Sequence, residues 1–279
     1  MCSKIGGTGV AKTSSKPKNE YAIQTVSNAL RMLEVFHSET QIGVSDLARR
    51  LGLHKNNAFR LLATLELGGY IQQSPETELY RLGPACLELG RAYARNHTLI
   101  REARPILEEL VDRVSETAHL GILQDDQVVH LEGVLPNQLV LTGSRVGGRL
   151  PVHCTALGKA LLSGEIDRRA GTDRDPEGVL FLDGRRLESF TEATIVDQTK
   201  LLEQLRAVQL RGYAVDLEEY AQGLCCVAAP VRDANARVVA ALSLSGPSLR
   251  LPEEKLHGAA AEAITTAAAR LSHELGFPH

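Results

Sequence analysis

The apolar positions of this chain keep a helical period at first, turn strand-like in the middle and return to a helical period at the end. From Thr25 onward, Val26, Ala29, Leu30, Leu33 and Phe36 recur three or four residues apart, which is one face of a helix. A shorter helix follows, with Ser45 expected as its N-cap, Asp46 in its first turn, Leu47, Ala48 and Leu51 on its apolar side and Gly52 as its stop. A third helix after Gly52-Leu53 would bury Ala58, Leu61, Leu62 and Leu65 and end near Gly68-Gly69. Residues 70–73 and 79–82, on either side of Ser74-Pro75-Glu76, predict a hairpin. Three helices and a hairpin in this order predict a winged helix-turn-helix.

Residues 86–117 are helical in pattern, with Pro105 as the one expected interruption. Strand-like runs then appear at 119–123, 127–134 and 139–142, and later at 213–216, 225–232 and 238–245. Helices are expected between them at 155–162 and 199–210, with a last one at 253–275. Strands and helices mixed in this way predict an α+β domain, an antiparallel sheet flanked by helices. The expected organisation is a mobile tail (1–20), a winged helix-turn-helix (21–83), a linker helix (84–97) and a sensor-like domain (98–279).

Composition sharpens this picture only in part. A chain of 279 residues with 43% hydrophobic residues can bury a real core. No apolar run is long enough for a signal peptide or a membrane span, so the chain reads as cytosolic. Cys2, Cys86, Cys154, Cys225 and Cys226 form no C-x-x-C pair and no zinc-spaced cluster, which leaves neither a disulfide framework, a metal nor a cofactor indicated. Residues 1–95 carry 12 Lys/Arg against 8 Asp/Glu, a net +4, whereas the remainder carries 19 against 26, a net −7. A basic head on an acidic body fits a domain that meets phosphates joined to one that does not.

The candidate chemistry lies at the start of the third helix. A helix that enters the major groove amino end first needs base-reading and phosphate-binding side chains in its first two turns. His54, Lys55, Asn56, Asn57 and Arg60 supply them: Asn pairs with adenine, Arg with guanine, and Lys suits phosphate. Arg49, Arg50 and Arg81 are candidates for backbone contacts. An enzyme is the natural rival, because the body holds His153, Cys154, Lys159 and the pair Glu218-Glu219. Neighbours on a strand point to opposite faces, however, and paired loop acids are usually solvated. A sensor module without DNA binding is the other rival, and Lys55, Asn56, Asn57 and Arg60 on the outer face of the third helix speak against it, since a relic that no longer bound DNA would tolerate acids there.

The segments SDLARRLGLHKNNAFRLLATLELGGY, LPVHCTALGKALLS, RGYAVDLEEYAQGLCCVAAPVRD and VVAALSLSGP, in this order, resemble the IclR family of bacterial transcriptional regulators. The resemblance implies a GAF-like effector domain that binds a small carboxylate or aromatic acid, and dimers or tetramers on palindromic double-stranded operators. Carried over position by position, it implies a pocket lined by the backbone at Ala156 and Leu157 and by the side chains of Asp216, Cys226, Ser243 and Ser245. The chain departs from the family pattern at His54, at Asn56-Asn57, where many members have Ser-Thr, and at Ala156-Leu157, where a smaller residue is common.

Overall fold

The structure, a computed structural model, describes residues 21–138, 145–169 and 186–278. The chain divides into two compact units, Met1–Ala92 and Tyr93–His279.

The first unit is a winged helix-turn-helix. Helix α1 (Gln24–Glu34) runs on through a 3₁₀ turn, Val35–His37. Helix α2 (Val44–Leu51) ends at Gly52, whose positive φ of 67° is the left-handed cap that a glycine adopts without strain. Helix α3 (Lys55–Leu67) follows, then strands β1 (Ile71–Gln73) and β2 (Tyr80–Leu82), paired antiparallel, with Ile42 bridging to Tyr80. Met32, Leu47, Ala58, Leu62, Ile71 and Tyr80 form the core that fixes α3 against α1, α2 and the hairpin. Ser45 is not the N-cap of α2. Gly43 holds that place in an extended conformation without a side-chain cap, and Ser45 lies exposed within the first turn.

Helix α4 (Pro84–Asn96) and helix α5 (Thr98–Val114) occupy the stretch predicted as one interrupted helix. The break falls at His97, extended as the N-cap of α5, and not at Pro105. Pro105 lies on the exposed side of α5, where water can take the Arg101 carbonyl that the missing N–H leaves free.

The second unit is built on a six-stranded antiparallel sheet in the order β5-β4-β3-β8-β7-β6. Its strands are β3 (Thr117–Gln124), β4 (Gln127–Val134), β5 (Arg149–Pro151), β6 (Ala214–Leu217), β7 (Leu224–Arg232) and β8 (Val238–Pro247). Alternation sorts their side chains between two cores. Leu120, Val215, Val227, Leu242 and Leu244 pack with Leu107 of α5 and with Ile264 and Leu271 of helix α9 (Ala259–Glu274). Val128, Ala214, Ala228 and Ala241 face helices α6 (Ala156–Arg169) and α7 (Gln198–Arg211) through Leu157, Leu161, Leu201 and Leu205. Helices thus cover both faces of the sheet, and the fold class is α+β.

Two expectations change here. Strand β5 was not expected, being three residues without alternation. The last helix is divided at Gly258 (φ −104°, ψ −113°) into α8 (Glu253–His257) and α9. The strand expected at 139–142 and the tail at 1–20 lie outside the described residues.

Candidate functional site

In the first unit, the polar set at the start of α3 is exposed. Ala58 and Leu62 face the core, while Lys55, Asn56, Asn57, Phe59 and Arg60 face outward. Asn56 and Asn57 stand four and three residues before Arg60, so the three occupy adjoining parts of one surface. Among the described residues none of Lys55, Asn56, Asn57 and Arg60 makes a side-chain hydrogen bond or ion pair. His54 is the N-cap of α3 in an extended conformation and makes no side-chain cap bond. The Asn57 N–H donates to the His54 carbonyl at 2.9 Å, and the Lys55 and Asn56 N–H groups are open to an outside acceptor, which is the anion-binding end of a helix.

The neighbouring arginines differ from one another. Arg49 is paired with Asp46 at 2.6 Å and Arg50 with Glu39 at 2.6 Å, so each already has a carboxylate partner at the surface. Arg81 is exposed on β2, the second strand of the wing. Phe59, 53% exposed on the outward face of α3, was missed by sequence reasoning. Its signal was there: an aromatic at position 59 falls off the apolar stripe formed by Ala58, Leu62 and Leu65.

In the second unit, a cavity lies between the sheet and the start of α6. It brings together Ala156, Leu157, Asp216, Cys226, Ser243 and Ser245. Strand register explains why. Ser245 lies opposite Cys226 and Cys226 opposite Asp216, so their side chains share one face across β8, β7 and β6. Ser243, two residues before Ser245, is on that face as well and lies opposite His119 of β3.

The start of α6 is held close to the sheet. Thr155 Oγ1 accepts the Gly158 N–H at 3.1 Å and donates to the Pro151 carbonyl at 2.8 Å. A Cβ at Gly158 would stand 2.1 Å from the Val152 carbonyl oxygen, so only glycine permits this approach. Ala156 and Leu157 are the first two residues of α6, and their N–H groups have no intrahelical acceptor.

Beneath the cavity lies a buried polar network. Lys159 Nζ donates to Glu219 Oε1 at 2.5 Å, with both side chains almost fully enclosed. The Glu219 N–H donates to Asp216 Oδ1 at 2.8 Å, and Thr194 Oγ1 donates to the Glu219 carbonyl at 2.6 Å. Glu219 is thus a structural ion-pair partner and not a solvated loop charge, whereas Glu218, at positive φ, accepts the Gly223 N–H. Burial, reinforced by the nearby Glu219 charge, pushes the Asp216 carboxyl up to about 7.

His153 and Cys154 form no dyad. They lie in the turn before α6, where His153 Nε2 contacts the Glu188 carbonyl at 2.8 Å. Burial pushes the Cys154 thiol up to about 12, opposite to what a nucleophile requires.

The cavity also includes residues that the sequence did not point to: His119, His130, Arg145, Leu150, Thr155, Tyr220 and Leu224. Burial holds His119 down to about 3 and His130 to about 4, so both rings are neutral near pH 7. The guanidinium carbon of Arg145 is 5.2 Å from the centre of the Tyr220 ring, a cation–π contact at the cavity wall.

Comparison with known proteins agrees with this fold. Residues 91–273 match the family model described as bacterial transcriptional regulator IclR C-terminal, and residues 25–75 match the IclR helix-turn-helix domain. The chain is 37% identical over 259 residues to the HTH-type transcriptional regulator XynR of Escherichia coli, covering 92% of this chain and 98% of that protein. The solved structure of an IclR transcriptional regulator from Alicyclobacillus acidocaldarius is similar with a TM-score of 0.78 at 26% identity, covering 91% of this chain and 99% of the other. An IclR homologue from Microbacterium hydrocarbonoxydans, solved in complex with 4-hydroxybenzoate, is similar with a TM-score of 0.73 at 26% identity, covering 90% and 99%.

Proposed function

Because the chain belongs to the IclR family of bacterial transcriptional regulators, it is a DNA-binding regulator of transcription, and we propose that α3 reads operator duplex DNA amino end first. Asn56, Asn57 and Arg60 take base edges, Lys55 and the open end of the helix take phosphate, and Phe59 packs on a thymine methyl. His54, Ser45 and Arg81 flank this surface, and Arg49 and Arg50 reach phosphate only by exchanging their carboxylate partners. The carrying observation is the unpartnered polar set at the start of α3.

On this reading residues 21–83 bind DNA in the cytoplasm, 84–97 are the linker and 98–279 sense a small organic acid in the cavity under α6. The Ala156 and Leu157 N–H groups and the hydroxyls of Ser243 and Ser245 donate to the acid, and Asp216 accepts from a ligand hydroxyl. A relative captured with 4-hydroxybenzoate supports a small organic acid as the ligand. The protein acts as a dimer or a pair of dimers, so that two recognition helices meet a palindrome, and the ligand changes operator affinity through differential binding to two states. Selection of random duplex DNA by the full-length protein tests the reading. An enriched inverted repeat is expected, and failure to enrich any sequence above a scrambled control would contradict it.

A further inference from the structure

His119 and His130 stand apart from the rest of the cavity. They come from adjacent strands, β3 and β4, and are 2% and 3% exposed. Their rings meet edge to face with centroids 5.1 Å apart. A bulge in the β3–β4 register makes this possible: Leu120 lies opposite Glu132 and Gly121 opposite His130, which leaves Leu131 without an opposite residue. Val128 and His130 consequently face α6, while Leu131 and Val134 pack into the other core.

Both rings carry a buried nitrogen without a hydrogen-bond partner among the described residues, Nε2 of His119 and Nδ1 of His130. More than nine in ten buried polar groups have a partner, and leaving one unmade costs about 1–3 kcal/mol. Two orphans in one cavity therefore call for something that supplies hydrogen bonds there. A neutral imidazole offers one N–H and one lone pair, so its natural complement is a hydroxyl, which both donates and accepts. At the other end of the same face, three strands away from His119, Asp216 has one carboxyl oxygen engaged by the Glu219 N–H.

We propose that His119 and His130 are effector-reading residues and that the cavity takes an aliphatic carboxylate rich in hydroxyl groups in preference to an aromatic acid. This rests on the effector reading above and narrows it. The sheet side of the cavity presents imidazole, hydroxyl, thiol and carboxyl groups beside Leu150 and Leu224, whereas the helix side presents Leu157 and Ala156. An extended polyhydroxy acid lays its hydroxyls on the first and its carbon chain on the second. A hydroxybenzoate has polar groups only at its two ends and leaves the groups between them unpaired. A site that hydrogen-bonds hydroxyls strongly rejects analogues that lack them.

The test is calorimetric titration of the full-length protein with five- and six-carbon aldonates, with hexanoate and with 4-hydroxybenzoate. His119→Phe and His130→Phe are titrated in parallel, and the melting temperature of each free variant is recorded. At least one aldonate should bind at least tenfold more tightly than hexanoate or 4-hydroxybenzoate. Each Phe variant should lose at least tenfold of that affinity, while its ligand-free melting temperature stays level or rises, because an orphaned buried polar atom has been removed. Binding of 4-hydroxybenzoate in preference to every aldonate overturns this inference and leaves the effector reading standing. Binding of no acid of any kind overturns both. Unchanged aldonate affinity in the Phe variants assigns the two rings to internal water and overturns their role.

Discussion

The buried pair Lys159–Glu219 gives the sharpest prediction on stability. Lys159 is on α6 and Glu219 follows β6, so the contact fastens the cavity's helix to the edge of its sheet. At 2.5 Å and an effective dielectric constant of about 20, the attraction is worth about 7 kcal/mol, most of it offset by removing both charges from water. Lys159→Met removes the attraction and leaves the carboxylate buried, with its second oxygen already lacking a partner. The expected loss is about 3–5 kcal/mol, a large part of the roughly 5–15 kcal/mol that holds a typical domain folded. Lys159→Met/Glu219→Leu removes both charges and should return to within about 1 kcal/mol of the parent. Urea denaturation followed by far-UV circular dichroism measures both variants. A single variant that loses less than about 1 kcal/mol, or a double variant as unstable as the single, refutes the reasoning.

Further predictions concern the same neighbourhood. Gly158→Ala places a methyl 2.1 Å from the Val152 carbonyl oxygen, so α6 must shift; thermal denaturation should show clear destabilisation, and an unchanged melting temperature would contradict the close approach. His119 and His130 have depressed pKa values in the fold, so their contribution is present above about 6.5 and is lost as pH falls toward 4 and 3; the Phe variants should flatten that acid limb in pH-dependent denaturation. Asp216 has the opposite sign: its raised pKa contributes stability in full below about 3.8, and this is lost as pH rises through about 7. Asp216→Asn should therefore remove a decline in stability between those values. Ser243→Ala and Ser245→Ala should weaken acid binding by calorimetry while operator affinity without ligand stays at the parent value.

Much of the architecture was legible because the periods are clean. The run from Gln127 to Val134 alternates well enough to give strand β4 with its observed bounds, and Gly52 marks the end of α2 through its left-handed backbone. Helix breaks were harder to read, since they depend on what surrounds a residue. Pro105 is tolerated because its face of α5 meets water, while the break at His97 is announced only by the Asn96 before it. The cavity was legible only where a resemblance pointed to it. His119 and His130 sit in ordinary apolar strands, and only the bulge beside Gly121 turns the second ring toward the first. The partnership of Lys159 with Glu219 spans 60 residues, and no local pattern encodes it.

The most direct test of DNA reading by α3 compares the parent protein with Asn56→Ala, Asn57→Ala and Arg60→Ala, using fluorescence anisotropy on the selected operator and on a scrambled duplex at one salt concentration. Ala at an exposed helical position leaves the fold intact, and each lost base contact should cost about 1–3 kcal/mol on the operator, roughly fivefold to over a hundredfold in affinity. This loss is expected on the operator, with little change on the scrambled duplex. Equal affinity of all three variants for the operator, or equal losses on both duplexes, would contradict it.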